Sequence, residues 1–247
     1  MNPAEADLFT IDATSPSLDR KRKDDFHSII ASISYIAKRI KPECLVVTSL
    51  LASRVHCATE QDWSKLDRLL AYINSTREIP LCLEMDKAYP VRISASIDSS
   101  HATHGDYRGH TGVYITLGKG CIQAISVKQT INTKSSAESE LVAVSDGATP
   151  VINVQNILLS QGLQCEPAMI DQDNKSTLAM LDRGQATGPT SRHINIRYFW
   201  LITDRIASGE VQVRYKETEE MTADVLTKPL QGHLFYKHRT TLLNTTA

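Results

Sequence analysis

The chain has 247 residues, a hydrophobic fraction of 41% and a charged fraction of 22%, values ordinary for a chain that buries a sizeable core. Its formal net charge of -1 excludes a global pull on nucleic acid, so any such contact has to come from local patches. No run approaches the roughly 18 apolar residues of a membrane span, and the N-terminus lacks the apolar stretch of a secretory signal. Five scattered cysteines without CxxC spacing read as reduced thiols. These features together predict a soluble intracellular protein with no membrane partner.

In chain order, residues 1–24 are polar, carry Pro3 and Pro16, and predict a disordered segment. From residue 25 the periodicity is helical. "FHSIIASISYIAKRI" places Phe26, Ile29, Ile30, Ile33, Ile36, Ala37 and Ile40 at spacings of three and four, stopped by Pro42. "LVVTSLLASRVH" and "QDWSKLDRLLAYINST" continue that pattern. Near residue 90 the period switches to two. "VRISASID" (91–98), "TGVYITLG" (111–118) and "CIQAISVKQ" (121–129) read as strands, with a tight hairpin predicted at Gly118-Lys119-Gly120. A long helix (135–161), a strand (167–173), helices at 174–183 and 191–208, a strand (210–216) and a short helix (219–228) follow. The order predicts an α/β fold with a mixed sheet: an antiparallel meander first, parallel pairing after it. Four segments result: 1–24, a helical unit at 25–89, the sheet-bearing domain at 90–232, and a C-terminal tail at 233–247.

Within "SSAESELVAVSDGA" two glutamates stand two apart. With Glu140 at zero on a helical wheel, Ala137, Val144, Ala148 and Val151 fall at roughly 20° to 80°, and Glu138 near 160°. Glu140 is therefore expected at the margin of the buried face, and Glu138 toward solvent. Asp98 ends the first strand, Asp173 ends the fourth, and Asp224 lies in the last short helix. Strand ends are where ligands collect in open sheets with parallel pairing. Carboxylates gathered without arginines repel each other and raise their pKa values. A divalent cation relieves that repulsion, and oxygen ligands suit Mg²⁺ or Mn²⁺. Spacing alone leaves many other choices open among 28 acidic residues. Asp171 reads as a polar neighbour of the group, Glu220 as exposed helix charge, and Asp106 as a loop residue. His101, His104 and His110 fit no common zinc spacing and read as a polar loop.

The segments "SID", "TKSSAESELVAVSD", "IDQDNKST", "SRHINIRYF" and "ADVLTKPLQGHLF", in this order, resemble the ribonuclease H domain of reverse transcriptases from Copia-type long-terminal-repeat retrotransposons. The resemblance covers about residues 90 to 240. It implies a ribonuclease H-like fold with a five-stranded mixed sheet flanked by helices, and hydrolysis of the RNA strand of an RNA/DNA hybrid with two Mg²⁺ or Mn²⁺ ions. Carried over residue by residue, the family's acidic quartet falls on Asp98, Glu140, Asp173 and Asp224. Residues 25–89 resemble the connection segment, a thumb-like remnant, that joins polymerase to ribonuclease H. The chain has no YxDD box, so it is expected to lack a polymerase palm and to work beside an upstream polymerase domain, in the cytoplasm, a virus-like particle or the nucleus. It departs from many cellular ribonucleases H in one respect: "KETEEMT" (216–222) has no histidine. Lys128, Lys134, Arg192, His193 and Arg197 are candidate contacts to the nucleic-acid backbone. Two rival readings are a catalytically silent hybrid-binding or connection module, and another nuclease of the same fold.

Overall fold

The structure, a computed structural model, describes residues 2–184 and 200–245. Helix α1 (Arg20–Ala37) starts where the Asp19 carboxylate accepts the Arg22 N–H at 2.8 Å, satisfying one orphan donor of the first turn. It buries Phe26, Ile30, Ile33 and Ala37, the stripe that spacings of three and four produce. Helices α2 (Leu45–Ser53) and α3 (Glu60–Ser75) follow; Thr59 and Asp62 form a reciprocal capping box at the start of α3.

A five-stranded sheet comes next: β2 (Ser94–Ser100), β3 (His110–Thr116), β5 (Gln123–Lys128), β6 (Ala168–Gln172) and β7 (Val211–Tyr215). The order across it is β5-β3-β2-β6-β7. The pairs β5–β3 and β3–β2 are antiparallel, and β2–β6 and β6–β7 are parallel. An antiparallel meander extended by strands that return through helical crossovers is the ribonuclease H-like arrangement. The crossover helices are α4 (Ser136–Ser160) before β6, with α5 (Lys175–Arg183) and α6 (Trp200–Ala207) before β7. Pro150 lies inside α4; its missing N–H removes one backbone bond, and the helix continues past it.

The sheet separates two cores, and β3 shows how. Val113 and Ile115 pack with Leu141, Val144, Ala148 and Val151 of α4. Tyr114, between them in sequence, joins the cluster built from α1, α2 and α3. That alternation is the period-2 geometry of a strand covered on both faces. Gly147 of α4 lies so close to Ile97 and Val113 that an added Cβ would sit 2.7 and 3.0 Å from them.

Several expectations need correction. Residues 2–24, expected to be disordered, pack against the fold: Ala4, Leu8 and Leu18 are buried in the helical core. The backbone there is satisfied by Lys65 Nζ, which donates to the carbonyls of Leu8 and Thr10 at 2.9 and 2.8 Å. Nor does packing break near residue 90, because Tyr114, Cys121, Val225 and Leu226 share one cluster with Phe26, Leu51 and Leu69. Residues 233–247 contribute most of helix α7 (Gly232–Leu243), which buries Phe235, Leu242 and Leu243. Gly118 and Lys119 form β4, which pairs with β1 (Glu84–Met85) in a two-stranded sheet, so the β3–β5 connection is wider than a tight hairpin. The short helix expected at 219–228 is instead two 3-10 turns, Thr218–Glu220 and Thr222–Leu226, separated by extended backbone at Met221.

Candidate active site

Asp98 sits on the central strand β2, opposite Gly112 of β3, and is 1% exposed. The missing side chain of Gly112 lets the 3-10 turn Thr222–Leu226 lie on the sheet. A Cβ there would meet Thr227 Cγ2 at 2.7 Å and the Ala223 carbonyl at 2.9 Å. Substitution at Gly112 would therefore displace the turn that carries Asp224. Glu140 projects from the first turns of α4, where Ser135 accepts the Glu138 N–H at 3.3 Å as N-cap. Asp173 follows the last residue of β6, just before Asn174 caps α5 through the N–H groups of Ser176 and Thr177.

Ligand oxygens of Asp98, Glu140 and Asp173 lie within 4.8 Å of one another. Trans oxygens around an octahedral Mg²⁺ stand about 4.2 Å apart, so small side-chain rotations fit this group to a cation. The donors are all carboxylate oxygens, which suits a hard divalent ion. Asp224 is held apart from this group: its Oδ1 accepts from Lys228 Nζ at 2.8 Å. The same ammonium lies 3.3 Å from Asp98 Oδ2, an oxygen that also accepts from the Thr227 hydroxyl. Gln172 Nε2 donates to Glu140 Oε2 at 3.2 Å, and the Thr218 hydroxyl donates to Asp173 Oδ2 at 2.8 Å.

Electrostatics follow from this crowding. Burial pushes the Asp98 carboxyl up to about 7; Lys228 and the Thr227 hydroxyl oppose the rise, and Asp224 and Asp173 add to it. Glu140 is raised well above the usual carboxylate range, by burial first and then by Asp98, with the Gln172 hydrogen bond opposing. Burial alone would lower Lys228, but Asp98 and Asp224 outweigh it and hold the ammonium charged.

The other acids have partners that remove them from the group. Asp171, two residues before Asp173, pairs with Arg214 at 2.6 Å and Lys216 at 2.9 Å. Glu220 pairs with Lys237, and Asp106 with Lys128 at 2.7 Å. Lys128, a candidate backbone contact, is thus engaged within the protein. Lys134 is exposed at the entry to α4. Arg192, His193 and Arg197 lie outside the described residues. Glu138 is a correction: it is buried at 9% exposure, and its Oε2 accepts the Lys134 N–H at 2.8 Å. A wheel places a side chain by angle alone, and here the short turn before α4 folds back over it. His104 and His110 also depart from a polar-loop reading. Their rings stack and share a 3.0 Å hydrogen bond, with Phe9 edge-on to His104.

Thr227, Lys228, Gln172 and Thr218 escaped the sequence reading. Lys228 lies within the quoted "ADVLTKPL", where its place one helical turn after Asp224 was the available signal. No histidine occupies the loop before Asp224, yet His238 of α7 is buried within reach of the Asp224 charge. Its Nε2 has no hydrogen-bond partner among the described residues.

No protein-family model matches the chain. A Pol polyprotein from transposon RE2 of Arabidopsis thaliana is 27% identical over 230 residues, covering 90% of this chain and 16% of that protein. The Ty1-JR2 Gag-Pol polyprotein of Saccharomyces cerevisiae is 25% identical over 213 residues, covering 83% and 12%. The chain is a homologue of retrotransposon Pol polyproteins. It spans under one-fifth of the length of these relatives. Among solved structures, LC11-RNase H1 from compost aligns at 15% identity and a TM-score of 0.42, over 55% of this chain and 91% of that one. Prototype foamy virus protease–reverse transcriptase aligns at 13% and 0.32, over 82% and 25%. Those likenesses are loose, and the fold rests on strand order and pairing. Among the described residues no helix is long and apolar enough to cross a membrane.

Proposed function

We propose that the chain is a divalent-metal-dependent endonuclease that hydrolyses the RNA strand of an RNA/DNA hybrid, leaving a 3′-hydroxyl and a 5′-phosphate. The observation that carries this reading is the gathering of Asp98, Glu140 and Asp173 oxygens within 4.8 Å, on a ribonuclease H-like sheet, in a homologue of retrotransposon Pol polyproteins. Asp98, Glu140 and Asp173 would hold one Mg²⁺ or Mn²⁺, and Asp98 with Asp224 a second. Two such ions supply an activated water and stabilise the leaving oxygen of a phosphodiester.

The remaining contributions belong to the chain. Gln172 fixes the Glu140 carboxylate and Thr218 that of Asp173, so the donors stay aimed while ligand is absent. Thr227 does the same for Asp98. Lys134, and Arg192, His193 and Arg197, would meet phosphates along the duplex; Lys128 would do so on release from Asp106. A polymerase domain of the same Pol polyprotein would be the partner that delivers the hybrid.

Cleavage of end-labelled RNA/DNA hybrid, double-stranded DNA and double-stranded RNA, side by side in Mg²⁺ and in chelator, tests this. Cut RNA within the hybrid, only with metal, is the expected result. Preferential cutting of double-stranded DNA would assign a different nuclease activity to the fold. Intact substrates under every condition, with hybrid still bound, would make the chain a silent module.

A further inference from the structure

The four acids form two unequal groups. Asp98, Glu140 and Asp173 converge, and among the described residues only Asp98 of the three has a Lys or Arg within ion-pair distance. Asp98 and Asp224 are bridged by the Lys228 ammonium at 3.3 and 2.8 Å. The lysine reaches that place from two residues past the 3-10 turn, where the Lys228 N–H donates back to the Asp224 carbonyl at 2.9 Å. Thr227, its neighbour, is tied to the same Asp98 oxygen. Backbone and side chain together set the ammonium where a cation bridging these two carboxylates would stand.

We infer that Lys228 is a tethered cation occupying the position between Asp98 and Asp224, so that without nucleic acid the protein binds one divalent ion at Asp98, Glu140 and Asp173. The inference rests on the reading of these acids as cation ligands. Charge supports it: when a divalent ion draws all four carboxylates into the ionised form, that ion and the ammonium together offset three of their four negative charges. A second divalent ion has to displace a cation that cannot diffuse away. The 38% exposure of the Lys228 side chain leaves it room to swing toward solvent or an incoming phosphate. Lys228 is thus a positioning residue that sets the order in which the site fills.

An ammonium touching a carboxylate changes its affinity for a competing cation by about 10- to 1,000-fold, as judged from pKa shifts of one to three units. Mn²⁺ binding to the full chain without nucleic acid, followed by calorimetry and by electron paramagnetic resonance, measures this directly. Wild type should bind one ion, with any second step at least about tenfold weaker. Lys228→Gln should bind two, with a tighter second step and dipolar broadening between neighbouring Mn²⁺ ions. Lys228→Arg, which keeps the charge, should stay at one. Two ions of similar affinity in wild type would overturn the inference, whether or not Lys228→Gln folds. An unchanged second step in Lys228→Gln would do the same. Absence of any Mn²⁺ binding in all three would remove the cation-ligand reading itself, and the inference with it.

Discussion

Asp98→Asn should abolish hybrid cleavage and, in the absence of metal, make the protein more stable. Activity falls because Asp98 is the one acid placed both in the three-carboxylate group and against Lys228 and Asp224. Stability rises because the same carboxylate is expensive to ionise where it sits. Burial drives its pKa up to about 7, beyond what Lys228 offsets. A carboxyl whose pKa is raised on folding favours the fold while it stays protonated. That contribution is full below the unfolded value near 4 and is lost as pH rises through about 7. Metal-free wild type should therefore lose melting temperature relative to Asp98→Asn between about pH 4 and pH 7. At about 1.4 kcal/mol per pKa unit, the difference is of the order of a few kcal/mol, or about 5–10 °C for a chain of this size. Parallel melting curves for the two proteins across that range would contradict the placement of Asp98 as a desolvated carboxyl that ionises only near neutral pH.

Glu140→Gln and Glu138→Gln should separate sharply, although both side chains are buried and lie half a helical turn apart. Glu140 donates its oxygens to the acidic group, so its loss should reduce cleavage by at least about 100-fold, given that partners which merely orient metal ligands are worth about 10- to 100-fold. Glu138 accepts the Lys134 N–H at the helix entry. Glutamine keeps an acceptor oxygen there and is a normal capping-box residue, so the cost should stay below about 1 kcal/mol, with cleavage within a few-fold of wild type. Equal losses of activity in two folded variants would remove the distinction between site and cap.

Much of this was legible because the relevant patterns are local. Val113, Tyr114 and Ile115 alternate as a strand does, and the stripe of Ala137, Val144, Ala148 and Val151 fixes which way α4 faces, and with it Glu140. Asp173 follows the end of β6 as the period-2 run marks it out, whereas Asp98, expected at a strand end, lies inside β2, which pairs on to Ser100. What escaped depends on contacts between residues far apart in sequence. Residues 1–24 have too few apolar side chains to predict order alone; Ala4, Leu8 and Leu18 become core only because helices of later sequence cover them. The turn holding Asp224 carries helix-forming residues, but its two 3-10 segments are set by the sheet beneath Gly112. Lys228 looks like any cation on a motif until Asp98, 130 positions away in sequence, is brought against it. His104 and His110 are only six residues apart, but Phe9, which packs on both rings, comes from the segment that composition marked as loose.

Metal-induced stabilisation tests most directly whether these acids form one cation site. The unfolded chain has no assembled ligands, so an ion that binds the fold raises its melting temperature by mass action. Mg²⁺ and Mn²⁺ held through few protein oxygens bind weakly, and millimolar concentrations should be needed. At about 100 times the dissociation constant the gain is about 2.7 kcal/mol, or about 5–10 °C. The measurement is the melting temperature of wild type and Asp98→Asn in chelator and in increasing Mn²⁺. Wild type should start lower and climb with metal, and Asp98→Asn should start higher and gain little. A wild-type melting temperature indifferent to both chelator and millimolar Mn²⁺ would mean that Asp98, Glu140, Asp173 and Asp224 do not hold a metal ion.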